Sequence, residues 1–185
     1  MLTRIHKILI LLFALLPVGL ACANDIAAFF DAIEKGSSQD IARLIDKGAD
    51  IEDKNYLGRT ALMYSAYKGQ THIIKFLINK GADIEARDNS EDTALMFATR
   101  QGYIDAVKLL IEKGANIETK NNYGVTPLIV AAYKGHADIA QLLIDKGADT
   151  QVEDNKGQSA LLLARQAGNT EVANIIEEAI RKNSK

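Results

Sequence analysis

Two histidines, His72 and His136, and a series of recurring carboxylates are the side chains of this chain best suited to chemistry. A shared metal site would need the histidines side by side with a third ligand. They are 64 residues apart, each near the start of a separate apolar segment, and no ligand-like group accompanies either. His136 reads as a structural residue and not as a ligand. The adjacent acids Glu52 and Asp53, and Glu177 and Glu178, could work as an acid/base couple only if burial pushed one pKa away from the other. Neither pair stands in an apolar setting, so both read as solvated faces. Asp50, Asp83, Asn116 and Asp149 resemble calcium ligands in type, but their regular step of 33 residues separates them too far to share one ion. They read as acceptors for loop backbone. No serine sits in a nucleophile elbow, no glycine loop is built to cradle phosphate, and Cys22 is the single cysteine. The expectation is a chain that is not an enzyme, with no catalytic residues, no metal and no cofactor.

The glycines show what positions these groups. Gly48, Gly81, Gly114 and Gly147 are spaced by 33, and Gly69, Gly102, Gly135 and Gly168 repeat the same step, extended upstream by Gly36. A third ladder, Gly58, Gly124 and Gly157, has Glu91 on its missing rung. A fixed period of this length signals tandem repeats. Thr60, Thr93, Thr126 and Ser159 each precede an apolar run and supply the hydroxyl that caps a helix, with Pro127 at a first helical position. About two turns later a glycine ends that helix. A second apolar helix follows, as in THIIKFLINK, and places Leu109 and Leu142 among the side chains held between neighbouring units. Each unit is therefore helix, tight turn, helix, then a polar segment of about ten residues bearing turn formers such as Asn55 and Gly58.

The stretch TPLIVAAYKGHADIAQLLIDKGAD, Thr126 to Asp149, resembles the repeat motif of the ankyrin-repeat family, and the likeness extends over roughly Asp25 to Lys182. That resemblance implies an all-α solenoid of stacked helix-turn-helix pairs with loop fingers: four full repeats and an N-terminal capping repeat. The repeats fall at about 48–80, 81–113, 114–146 and 147–182, and the cap at about 25–47, within a domain spanning 24–185. Met63, Met96, Ile129 and Leu162 stand where the family motif has histidine, so apolar packing must replace that histidine's hydrogen bonds. Glu91 in the turn-glycine slot implies either a different loop conformation or strain at positive φ.

Arg4 and Lys7 precede the uncharged run Ile8 to Leu20, which is followed by Ala21, Cys22 and Ala23. This is the layout of a secretory signal peptide over residues 1–23, cleaved after Ala23, and the run is too short to span a bilayer. Two rival readings are a lipoprotein anchored through Cys22, which Gly19 fits poorly, and an uncleaved anchor. Without cysteines the mature chain suits a bacterial periplasm, or secretion, with no stable membrane insertion. Removing Arg4 and Lys7 from the 22 basic residues leaves 20 against 24 acidic ones, a net charge of about −4, which is unlike a nucleic-acid binder.

The resemblance also implies where function lies, on loop tips and first-helix ends lining a concave groove that grips a protein partner. The corresponding slots hold Tyr56, Leu57, Arg59, Tyr67 and Lys68 in the first repeat and Arg87, Asn89, Asp92 and Arg100 in the second. In the third they hold Tyr123, Val125, Tyr133 and Lys134. Tyrosine and arginine are enriched at interface hot spots, and a basic, aromatic groove on an acidic chain suits an acidic partner surface. The expected protein is a monomeric binding module of the cell envelope that inhibits or protects an envelope enzyme. The alternative is a periplasmic adaptor or assembly factor for such an enzyme, for instance in oxidative-stress defence.

Overall fold

The computed structural model describes residues 18–183, with side chains from Ile26 onward. The signal layout in residues 1–17 lies outside the described residues. Ten α-helices follow one another: α1 Val18–Glu34, α2 Ser38–Asp46, α3 Ala61–Tyr67, α4 Thr71–Asn79, α5 Ala94–Gln101, α6 Ile104–Glu112, α7 Pro127–Lys134, α8 Ala137–Asp145, α9 Ala160–Gln166 and α10 Thr170–Asn183. Among the described residues there are no strands, only an isolated bridge between Glu153 and Ser159. The fold is an all-α solenoid of helix pairs joined by long loops.

Local chemistry starts each first helix as the repeat pattern requires. The hydroxyls of Thr60, Thr93, Thr126 and Ser159 accept from the backbone N–H three residues on, at 3.4, 3.4, 3.4 and 3.3 Å. Each satisfies one orphan amide of its helix. Ser37 does the same for α2 through the Asp40 N–H, a cap in the terminal unit that lacks the repeat motif. The second helices α4, α6 and α8 have no side-chain cap; Gln70, Tyr103 and His136 occupy that position. Their side chains turn to the preceding pair instead. Gln70 Nε2 donates to the Ile33 carbonyl, and His136 Nε2 lies 3.3 Å from the Arg100 carbonyl. His72 Nε2 lies 3.2 Å from the Gly36 carbonyl. Gly102 is required twice over here: its φ is +81°, and a Cβ would sit 2.7 Å from the His136 ring.

Packing divides the two helix types. Every residue of α5 from Ala94 to Thr99 is buried, as is every residue of α7 from Pro127 to Ala132. A helix apolar around its whole girth must be enclosed, and neighbouring first helices enclose one another. The second helices bury one stripe: Ile73, Ile74 and Leu77 on α4, Ala106, Val107 and Leu110 on α6, and Ile139, Ala140 and Leu143 on α8. Leu109 and Leu142, expected in the interior, are only half-buried; the fully enclosed leucines are the residues after them, one helical position further round. Met63, Met96 and Ile129 are buried, so apolar packing does replace the motif histidine at those three slots. At the fourth slot it does not: Leu162 is 41% exposed, because among the described residues no further pair follows to cover it.

The fingers between pairs keep one conformation. Asn55, Asp88, Asn121 and Asp154 each accept two backbone N–H groups of their own turn through Oδ1. The N–H of Gly58, Glu91, Gly124 and Gly157 closes each turn on the carbonyl of that residue. Glu91 therefore adopts the glycine conformation, with φ +60°, and strain is the alternative that holds.

Leu110→Ala and Leu143→Ala should each cost about 2–5 kcal/mol in chemical denaturation, and Leu109→Ala distinctly less. Equal losses at Leu109 and Leu110 would refute the assigned helix register. Glu91→Gly should stabilise by about 0.5–1 kcal/mol, since left-handed backbone costs an L-residue roughly 1–2 kcal/mol and the exposed Arg87 ion pair contributes little. Gly124→Ala should destabilise instead, because its φ is +74° and the new Cβ would lie 2.5 Å from Asn155 Oδ1.

Candidate functional site

The face formed by the fingers and the first helices carries all thirteen of the residues singled out for partner binding, but they are not equivalent. Eight of them are exposed. Tyr56 is 88% exposed at the tip of the first finger, beside Leu57. Tyr123 on the third finger and Tyr133 at the end of α7 are 64% and 57% exposed. Lys134 Nζ rests 5.5 Å from the Tyr133 ring centroid.

A second group is tied together around Phe97, a buried residue of α5. The Arg59 guanidinium lies 4.5 Å from the Phe97 ring centroid and that of Arg100 lies 5.4 Å from it. Tyr67 meets the same ring edge-on at 6.4 Å and stacks on Tyr64 at 6.1 Å. Each arginine has an aspartate beside it. Arg100 reaches Asp92 at 2.7 Å, and Arg59 Nε is 3.7 Å from Asp88. Asp92 is buried, with its second oxygen accepting from Asn121 Nδ2 at 2.8 Å. It anchors Arg100 and is not itself a contact surface. Arg59 Nε is buried without a hydrogen-bond partner, so this guanidinium is held mainly by the ring beneath it.

Others of the thirteen serve the stack. Asn89 Nδ2 donates to the Tyr56 carbonyl, and Arg87 donates to Glu91 and to the Lys120 carbonyl. Lys68 bridges to Glu34 at 2.9 Å. The Tyr64 hydroxyl also donates to Glu34; that bond first, and Lys68 second, hold the Glu34 carboxyl below its ordinary pKa, while the Tyr64 phenol is pushed up. Val125 is half-buried against the core.

Two hollows open on this face. The first, of about 570 Å³, lies between α1 and the first finger, with Phe30, Leu57, Arg59 and Tyr64 in its wall. The second, of about 340 Å³, is walled by Tyr123, Val125, Val130, Tyr133 and Leu163, with Arg100 and Lys134 at its edge. Sequence reasoning missed Tyr64, Phe97, Val130 and Leu163. They share one slot of the 33-residue period, and its change from aromatic to aliphatic along the chain was the available signal.

The residues considered for chemistry have structural partners. Asp50, Asp83, Asn116 and Asp149 each accept the N–H two residues on, which fits their reading as loop acceptors. Glu52, read as solvated, accepts the Asp83 N–H of the next unit at 2.8 Å. Glu177 lies between Arg165 at 2.6 Å and Arg181 at 3.3 Å, and the Arg165 hydrogen bond lowers its pKa. Among the described residues no group of three or more His, Cys, Asp and Glu could hold a metal ion, and no helix is long and apolar enough to cross a membrane.

Residues 29–121 match a family model described as ankyrin repeats in three copies, and residues 110–164 match one described as ankyrin repeats in many copies. Comparison with curated proteins found no match. The capped helix pairs, the finger turns and these matches agree: the chain belongs to the ankyrin-repeat family, whose repeats generally mediate protein–protein interaction.

Proposed function

We propose that this chain is a non-catalytic binding module of the cell envelope, which grips a partner protein across the face of fingers and first helices. The observation that carries the reading is the cluster of exposed aromatics on that face. Tyr56, Tyr123 and Tyr133 are more than half exposed, and Tyr123 and Tyr133 flank an apolar hollow. An isolated exposed tyrosine needs no explanation, but several beside a hollow are the composition of a hot-spot region. The module acts as an inhibitor or protection protein, closing over a protruding segment of an envelope enzyme. Support for the envelope is the pairing of Arg4 and Lys7 with the apolar run before Ala21-Cys22-Ala23.

Tyr123→Ala with Tyr133→Ala should weaken capture of the partner by about 2 kcal/mol or more, some thirtyfold, with helical circular dichroism unchanged. Lys75→Ala with Lys108→Ala, exposed on α4 and α6, should leave capture intact. If the lysine pair fails and the tyrosine pair binds, the partner uses the opposite face. Intact-mass measurement of protein from its native host should give a chain beginning at Asn24. A retained Met1 or a lipid on Cys22 would overturn the cleavage site.

A further inference from the structure

The two hollows occupy matching slots two units apart. Leu57, Arg59 and Tyr64 wall the first, and Tyr123, Val125 and Val130, each 66 residues later, wall the second. In the unit between them the same slots hold Ser90, Asp92 and Phe97. There Phe97 is covered by the guanidiniums of Arg59 and Arg100, so the middle position is closed and cationic. The face thus reads apolar, cationic, apolar along the stack.

Its charge is one-sided. Among the described residues no carboxylate lines either hollow, although acidic residues outnumber basic ones in the whole chain, 24 to 22. The paired Asp88 and Asp92 side chains are only 6% and 7% exposed, whereas those of Arg59 and Arg100 stay 25% and 29% exposed, so the groups that face solvent there are the guanidiniums. Lys54 at the first hollow donates to the Arg87 carbonyl, and Lys134 at the second rests on Tyr133; among the described residues neither has a carboxylate partner. An occupant must bring apolar groups for the ends and negative charge for the middle.

Spacing then limits its conformation. Packed helices stand about 8–10 Å apart, so two steps of the stack separate the hollows by roughly 16–20 Å. An extended chain rises about 3.3 Å per residue and turns alternate side chains to one face, so side chains about six residues apart reach both hollows from the same side. The side chains two and four residues after the first then point at the Arg59–Phe97–Arg100 stack. A helix would need about eleven to thirteen residues for that distance and would lift most of the intervening side chains off the surface.

We propose that this face takes an extended acidic segment of the partner protein, with apolar side chains at its first and seventh positions in the two hollows and carboxylates at its third and fifth positions over Arg59 and Arg100. This inference rests on the binding face assigned above and specifies what that face recognises.

The test uses the full chain and fluorescein-labelled synthetic peptides read by anisotropy. The reference peptide carries leucine or phenylalanine at positions one and seven and aspartate or glutamate at three and five. It should bind at least tenfold tighter than peptides with a single apolar anchor, with the acids moved to positions two and six, or with lysine in their place. Leu57→Asp, at an exposed fingertip, should reduce the two-anchor peptide to single-anchor affinity, and Tyr133→Ala should do the same from the other hollow. Circular dichroism checks that both variants remain folded, and either one alone suffices for the comparison. Affinity indifferent to anchor spacing or acid register would overturn the proposal, as would a preference for anchors eleven to thirteen residues apart. If no peptide binds while the Tyr123 and Tyr133 changes still abolish capture of the partner, the extended-segment inference fails and the binding face stands. If those changes also leave capture intact, both fail.

Discussion

No helix pair in this chain can bury its own apolar surface, and the solenoid follows from that constraint. Helices α5 and α7 are enclosed on all sides only because a first helix lies against each of their flanks. Such stacking would permit sliding if it rested on apolar contact alone, since apolar attraction has no direction. Hydrogen bonds spaced by the repeat fix the register. Glu52, Glu85 and Glu118 each accept the backbone N–H of the residue 31 positions on, all at 2.8 Å. Lys54, Arg87 and Lys120 donate to the carbonyl 33 positions on, and the amides of Asn89, Asn122 and Asn155 donate to the carbonyl 33 positions back. The groups that hold one finger to the next are therefore polar and lie along the edge, while the apolar stripe supplies the bulk of the stabilisation.

Much of this was legible because each unit repeats its local chemistry. The Thr60, Thr93, Thr126 and Ser159 caps, the helix-ending glycines and the loop role of Asp50, Asp83 and Asp149 all depend on neighbours within a few residues. Contacts between units were harder to read. That Asp92 would be buried under Arg100 and Asn121, or that Arg59 would lie on Phe97, depends on which side chains meet across a 33-residue step. The pattern aligns those slots without saying how far each side chain reaches. The half-burial of Leu109 and Leu142 is a smaller failure of the same kind: two adjacent leucines cannot be ordered by composition, and only the rotation of the helix against its neighbours distinguishes them.

Glu91 shows how far the stack dictates backbone shape. An isolated loop with glutamate in the glycine slot would avoid positive φ, yet its turn closes on the Asp88 carbonyl as its glycine counterparts do. The fingers on either side fix it: the Asn89 N–H donates to the Leu57 carbonyl, and the Asn122 N–H donates to the Ser90 carbonyl. A finger pinned between two others has little freedom to relax, and the strain is the consequence.

The ends of the ladders explain which slots change residue type. Asparagine recurs at positions 89, 122 and 155 because each side-chain amide needs a preceding finger to donate to. The first finger has none before it among the described residues, and that slot holds Tyr56, the most exposed of the large apolar or aromatic side chains there. At the other end the acceptor slot of Glu52, Glu85 and Glu118 becomes Gln151, and the donor slot of Lys54, Arg87 and Lys120 becomes Glu153. In each case the residue type changes where, among the described residues, no further finger supplies a partner. The slots at 123 and 133 are different: they lie within the stack, yet among the described residues the Tyr123 and Tyr133 side chains form no ladder bond and stand open beside the second hollow. An interior slot that keeps a large aromatic exposed, while its neighbours are drawn into the ladders, gains nothing for the stack, and that is the ground for the binding face proposed above.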